Sequence, residues 1–302
     1  MTKRRASALG LTLALVLSGE RASGQELEPR AYSPNPTGAH YVLLAYGRSS
    51  GDVVFDPSLP FSDVDAKVNS TVLLYGTTFG LFGRSASAGL VGSYAWGTMS
   101  GNVAEEFRSI RRSGLADVKA RLAVNLVGGP ALEPREFAKR RPRTTLGTSL
   151  IVIAPTGQYD PAKLINISAN RWALKPEVGL ARPVGKLMLE AYAGLWLYSD
   201  NGDFYGGSQR GQSPLGTFQS HVSYTFKPRL WVAGDATFYA GGRTTLDGVR
   251  NDDRQENSRL GLTLSLPVGR RSSLKLSWAN GFTTRVGGDF DTLSVAWQTL
   301  WF

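Results

Sequence analysis

Along most of the chain, apolar and polar residues take turns over stretches of about ten residues. In Asp117–Asn125 one face reads Val118, Ala120, Leu122 and Val124, and the other reads Asp117, Lys119, Arg121, Ala123 and Asn125. In Lys186–Tyr198 the faces are Leu187, Leu189, Ala191, Ala193, Leu195, Leu197 against Lys186, Met188, Glu190, Tyr192, Gly194, Trp196. Ser258–Leu266 sets four leucines against Arg259, Gly261, Thr263 and Ser265. A period of two is the signature of a β-strand with unlike faces. The pattern predicts twelve strands: about Tyr41–Gly47, Thr71–Phe82, Ala86–Trp96, Leu115–Val127, Thr144–Ala154, Trp172–Arg182, Lys186–Tyr198, Leu215–Phe226, Leu230–Ala240, Ser258–Leu266, Ser273–Phe282 and Phe290–Trp301.

Most of these match the roughly 9–11 residues that a tilted strand needs to cross a bilayer. Soluble strands run nearer five or six. The connections alternate in length. Short ones follow even-numbered strands, such as Gly83-Arg84-Ser85, Pro183-Val184-Gly185 and Lys227-Pro228-Arg229. Long polar ones follow odd-numbered strands, such as Pro155–Arg171, Ser199–Pro214 and Gly241–Asn257. That is the pattern of a transmembrane barrel with both termini at the short-turn, periplasmic rim. Gly128–Arg143 breaks the rule, being long and basic where a tight turn is due, and reads as a helical or disordered excursion. Aromatic residues near strand ends (Trp96, Trp172, Trp196, Tyr198, Trp231, Tyr239, Trp278, Trp297, Trp301) fit interfacial girdles. A soluble β-sandwich, whose strands also alternate, is the competing architecture.

Composition narrows the chemistry. The 302 residues hold no cysteine and two histidines, His40 and His221, which excludes disulfides, a Cys nucleophile and a His-rich metal site. Lys3, Arg4 and Arg5 precede the apolar run Leu9–Leu17 and the small residues Ala22-Ser23-Gly24, the layout of a secretory signal peptide. The net charge of +10 would suit nucleic acid, but export makes that partner implausible. The expected organisation is a signal peptide over 1–24, a periplasmic N-terminal segment over 25–39 and an all-β, closed antiparallel transmembrane barrel over 40–302.

Charge on the lipid face costs about 2–4 kcal/mol at the midplane, so the charged faces are assigned to the lumen. The lumen-lining candidates are Asp117, Lys119, Arg121, Asn125, Lys175, Glu177, Glu190, Gln219, His221, Asp235, Arg259 and Lys275. Cross-strand pairing of Lys175 or Glu177 with Glu190 or Lys186 is one expected arrangement. His221 shares its face with Gln219 and Ser223. Side chains two apart on a strand sit about 7 Å apart, too far for direct proton transfer, so no enzyme is expected. No cofactor or metal is expected.

The stretches Val72–Gly97 and Thr144–Ser168, the latter holding Pro155-Thr156-Gly157-Gln158-Tyr159-Asp160, and then Ala169–Pro183 with Arg171-Trp172, resemble the outer-membrane transporter family of the meta-pathway of phenol degradation. The resemblance implies a Gram-negative outer-membrane barrel for passive uptake of small, hydrophobic or aromatic solutes, with no catalytic residues. The alternative is a structural or adhesion barrel acting through its loops, with a sealed lumen. Expected partners are outer-membrane lipid, a small-molecule solute and the barrel-assembly machinery, which would read the terminal Phe302.

Overall fold

The outward leucines, valines and aromatics of successive strands join side by side into one apolar belt, and this belt fixes the architecture. Leu73, Leu122, Val178, Val222, Leu262 and Leu293 are all more than two-fifths exposed, while Lys175, His221, Ser223 and Thr237 are almost wholly buried. Soluble monomers rarely expose apolar patches beyond a few hundred Å². An apolar outside around a polar inside is the reverse of a sandwich and matches a barrel in lipid.

The computed structural model describes residues 28–54, 61–103 and 105–302. The predicted signal peptide lies outside them. In chain order the strands are β1 (His40–Val54), β2 (Phe61–Leu81), β3 (Arg84–Val103), β4 (Glu106–Leu115), β5 (Val118–Val127), β6 (Thr145–Ala154), β7 (Ala173–Val184), β8 (Leu187–Tyr198), β9 (Asn201–Phe204), β10 (Ser208–Gln212), β11 (Leu215–Lys227), β12 (Leu230–Gly241), β13 (Thr244–Leu246), β14 (Val249–Arg250), β15 (Gln255–Val268), β16 (Ser272–Thr283) and β17 (Gly287–Trp301). Both β4 and β5 pair with β3, on successive stretches of it, and together form one wall strand interrupted at Ala116-Asp117. Counted so, the wall is a closed barrel of twelve antiparallel strands. The seam joins β1 to β17 in unbroken register from His40↔Trp301 to Val54↔Gly287. Strands β9, β10, β13 and β14 form a small separate sheet within the long loops.

Tight turns close the short-turn rim. Phe82 and Gly83, at φ 49° and 73°, join β2 to β3. Two successive positive φ values match the strand twist of a two-residue hairpin. The basic excursion holds a single helical turn, α1 (Pro134–Phe137). Its flanks bond back to this rim, with the Ala131 N–H donating to Gly83 O (3.1 Å) and the Ser85 N–H to Gly129 O (2.9 Å).

Three strands outrun the alternation pattern. β1 continues to Val54, β2 begins at Phe61, and β3 continues to Val103 into a hairpin with β4. Here the strands rise past the apolar belt. There ladder hydrogen bonds join the strands, and the apolar residues turn inward instead of outward. Inside this taller wall, Val53, Val64, Ala66, Val286 and Phe290 pack around Ile165, which the β6–β7 loop carries inward.

Candidate functional site

Of the chain before β1, the structure describes residues 28–39, and their first stretch lies inside the barrel. Glu28–Tyr32 stand in the lumen, against the inner faces of the wall strands. A turn, closed by the Ser33 N–H donating to Arg30 O (3.1 Å), sends two side chains to different walls. Arg30 reaches β11, donating to Ser223 Oγ (3.1 and 3.0 Å) and Thr225 Oγ1 (2.7 Å). Its backbone N–H donates to Glu190 on β8 (2.9 Å). Its guanidinium lies 4.5 Å from the Trp231 ring on β12.

Tyr32 reaches β6 and β7 and is 2% exposed. Its hydroxyl donates to Glu177 Oε1 (2.8 Å) and lies 2.8 Å from Ser149 Oγ. The ring meets Tyr192 edge to face at 4.9 Å. Two glycines make room for it. Gly147 and Gly179 sit opposite each other in the β6–β7 ladder, and a Cβ on either would run into the Tyr32 ring.

The segment is fastened where it leaves. The Gly38 N–H donates to Thr78 O (2.8 Å) and the Thr37 N–H to Leu132 O (2.9 Å). Thr78 Oγ1 donates to Pro36 O (2.6 Å) and Ser85 Oγ to Asn35 O (3.0 Å). The Gly128–Arg143 excursion is therefore a clasp on the lumen segment.

A cavity of about 500 Å³ lies beside this segment. Of the twelve residues assigned to the lumen, Lys119, Arg121, Lys175, Glu177, Gln219 and Lys275 line it. Glu190, His221 and Asp235 are buried in the wall around it. Asn125 lies lower, beside Tyr32 in a small void. Asp117 and Arg259 stand elsewhere. Asp117 occupies the β4–β5 break, where its carboxylate accepts from Gly157 N (2.9 Å), Ser168 Oγ (2.6 Å) and Ala169 N (3.1 Å). Arg259 Nη2 donates to Gly288 O (3.3 Å) near the long-loop rim.

The expected cross-strand ion pairs form differently. Lys175 Nζ meets Glu177 Oε2 at 2.7 Å within one strand. Their i, i+2 spacing puts both on one face, and Gln219 Nε2 adds a bond to the same carboxylate (3.2 Å). Glu190 is taken by Arg30 and by the Tyr192 hydroxyl (2.6 Å). His221 Nδ1 lies 2.6 Å from Asp235 Oδ1, and Thr263 Oγ1 donates to the other carboxylate oxygen (3.0 Å). Trp196 and Trp231, placed among the girdle residues above, are 9% and 6% exposed and face the lumen. Their even and odd positions on β8 and β12 are the inward ones, and alternation overrides nearness to a strand end.

Sequence reasoning missed Glu28, Arg30 and Tyr32, which look like an ordinary leader to the first strand. It also missed Arg229 and Arg271, turn residues that line the cavity. One signal was available: two glycines on the inner face of adjacent strands leave a slot that something must fill.

The run Pro155–Asp160 has a structural task. The Gln158 N–H donates to Leu115 O (2.8 Å), its side chain accepts from the Leu115 N–H (3.1 Å), and Thr156 Oγ1 accepts from the Val118 N–H (3.0 Å). The loop thus supplies the ladder partners lost at the break. In this exposed loop, hydrogen bonds from Lys163 and then from the Ala162 N–H hold the Asp160 carboxyl below its ordinary pKa. Among the described residues no three His, Asp or Glu side chains gather as a metal site.

The family model described as the putative MetA-pathway of phenol degradation matches residues 34–298. The chain is similar to the crystal structure of the COG4313 outer membrane channel from Pseudomonas putida F1, at 21% identity and a TM-score of 0.77, covering 91% of this chain and 100% of that one. It is also similar to the transport unit of the autotransporter AIDA-I from Escherichia coli (10% identity, TM-score 0.50, 97% and 99% covered). The NanC porin gives 10% identity and a TM-score of 0.50, with 85% and 98% covered. No curated protein sequence matches. The shared fold is that of Gram-negative outer-membrane barrels.

Proposed function

The chain belongs to the family of the putative MetA-pathway of phenol degradation, and on that premise we propose that it is an outer-membrane channel for small hydrophobic or aromatic solutes, with both termini at the periplasmic rim. The observation that carries this reading is the lumen cavity of about 500 Å³ with indole rings in its wall. A barrel built only as a scaffold has no use for such a space, and twelve strands lie between filled eight-stranded barrels and open porins.

A channel is favoured over a lumenal hydrolase by the state of Ser223. Its hydroxyl accepts from Arg30, and although His221 directs Nδ1 to Asp235, its Nε2, the nitrogen that would serve a serine, meets no hydrogen-bond partner among the described residues, so no serine–histidine couple is assembled.

The test is reconstitution. Purified protein in planar bilayers and liposomes is expected to pass ions in small steps and to admit phenol. Protein that inserts, shows heat-modifiable mobility and passes neither overturns the reading. The sealed structural barrel is the second reading, favoured by the segment filling part of the lumen. It predicts no flux before or after Tyr32→Ala. Assembly through the C-terminal aromatic is tested by removing Phe302, which is expected to lower the inserted fraction in cells.

A further inference from the structure

The lumen cavity is asymmetric in both charge and polarity. Arg30, Lys119, Arg121, Lys175, Arg229, Arg271 and Lys275 line it, against the two carboxylates of Glu28 and Glu177. Low-dielectric walls lined by one sign of charge focus the field and concentrate the opposite ion.

One wall is graded. Strand register sets Leu43 on β1 opposite Leu74 on β2, Leu74 opposite Val91 on β3, and Val91 opposite Lys119 on β5. Three apolar side chains thus form a level row that ends at a cation, with Arg121 two residues further along the same inner face. All five line the cavity. The Arg121 guanidinium lies 5.2 Å from the Tyr32 ring, and its Nη2 is buried without a hydrogen-bond partner among the described residues. Buried donors are almost always satisfied, so an orphaned one marks a place for something else to bind. A guanidinium fork fits a carboxylate bidentately.

We propose that this cavity is a binding site for a small carboxylate carrying an apolar ring, with the carboxylate at Arg121 and Lys119 and the ring on the Leu43–Leu74–Val91 row. The site deepens the uptake reading by naming the solute's charge. An aromatic acid satisfies both ends of the row. A neutral phenol satisfies one, and an amine meets repulsion from Lys119, Arg121 and Lys275. Glu28, sharing the same cavity, is the internal carboxylate that an incoming one would rival.

The probes are benzoate, benzyl alcohol and benzylamine, three one-ring molecules differing in charge. Binding to the purified full-length protein is read by saturation-transfer NMR, and ion preference by the reversal potential across a bilayer with a KCl gradient. Benzoate is expected to bind at least tenfold more tightly than the other two. Arg121→Gln is expected to weaken it at least fivefold and Arg121→Lys to restore part, with heat-modifiable mobility reporting that each variant folds. If Arg121→Gln fails to fold, Lys119→Gln carries the same test. Equal binding of the three probes, or benzoate binding indifferent to Arg121 and Lys119, overturns the proposal. The two readings fail separately. Benzoate binding in a barrel that conducts nothing keeps the site and removes the channel, while conductance without anion preference or benzoate binding keeps the channel and removes the site.

Discussion

Replacing Tyr32 by alanine should release the segment that occupies the lumen. Its magnitude follows from what the ring loses. Tyr32 is 2% exposed, sits in the slot left by Gly147 and Gly179, and packs edge to face on Tyr192. Truncating a buried aromatic side chain to alanine costs about 3–5 kcal/mol. The hydroxyl also donates to the Glu177 carboxylate at 2.8 Å, and a bond to a charged group contributes about 1.5–3 kcal/mol. The terms overlap, since the vacated slot fills with water, and about 4 kcal/mol is a fair net loss of anchoring. At 1.4 kcal/mol per decade, the docked-to-undocked ratio falls roughly a thousandfold. Single-channel recording reads this directly. The variant is expected to show a larger mean conductance and more frequent transitions, while Tyr32→Phe, which keeps the ring, shifts far less. If Tyr32→Ala folds normally and its current traces match the parent's, the segment is not what limits the pore.

Three further outcomes follow from other contacts. Gly179→Ala keeps the tyrosine but closes its slot, since the new Cβ would meet the ring; it should reproduce the Tyr32→Ala conductance, and a parent-like trace would count against the slot. Lys175→Met strips the partner from Glu177 in a pair at most 5% exposed. Breaking a buried pair costs about 3–5 kcal/mol, which should lower the urea midpoint of unfolding in lipid vesicles, with Lys175→Met/Glu177→Gln recovering much of it; a single variant as stable as the parent refutes the pairing. Asp117→Ala removes the acceptor shared by Gly157, Ser168 and Ala169, so amide hydrogen exchange over residues 155–172 should speed about a hundredfold for roughly 3 kcal/mol lost; unchanged exchange would mean that other contacts hold the loop.

How much of this was legible beforehand depends on which solvent each residue meets. Where a strand has lipid on one side and lumen on the other, as at Leu187–Tyr198, the two faces differ and the sequence declares them. Above the belt, at Gly47–Val54 and Phe61–Ser70, the sense reverses: Val53, Val64 and Ala66 turn inward while Asp52 and Lys67 stay exposed, so the belt's apolar-out pattern does not carry on. The lumen candidates were found by type and face, but their partners were not. Lys175 or Glu177 was expected to pair across strands with Glu190 or Lys186, whereas the two pair with each other along β7. The segment at Glu28–Tyr32 was invisible because its partners, Ser223 and Glu177, lie 193 and 145 residues away, and only the closed barrel brings them together.

The uneven height of the wall has a consequence for what first meets the protein from outside. Strands β2 and β3 have 21 and 20 residues, whereas β6 has 10 and β7 and β8 have 12 each. With a rise of about 3.3 Å per residue and a tilt near 40°, the taller strands climb roughly 50 Å along the barrel axis and the shorter ones about 25–30 Å, against an apolar band about 25 Å tall. The mouth is cut on a slant, like the nib of a reed pen. If the long-loop rim faces outward, as proposed, the high lip rises through the sugar layer that coats the lipid, while the low side opens near the bilayer surface beneath the loops carrying β9, β10, β13 and β14. Large particles and antibodies then touch the lip first, and small molecules already gathered at the membrane surface have the shorter path to the lumen.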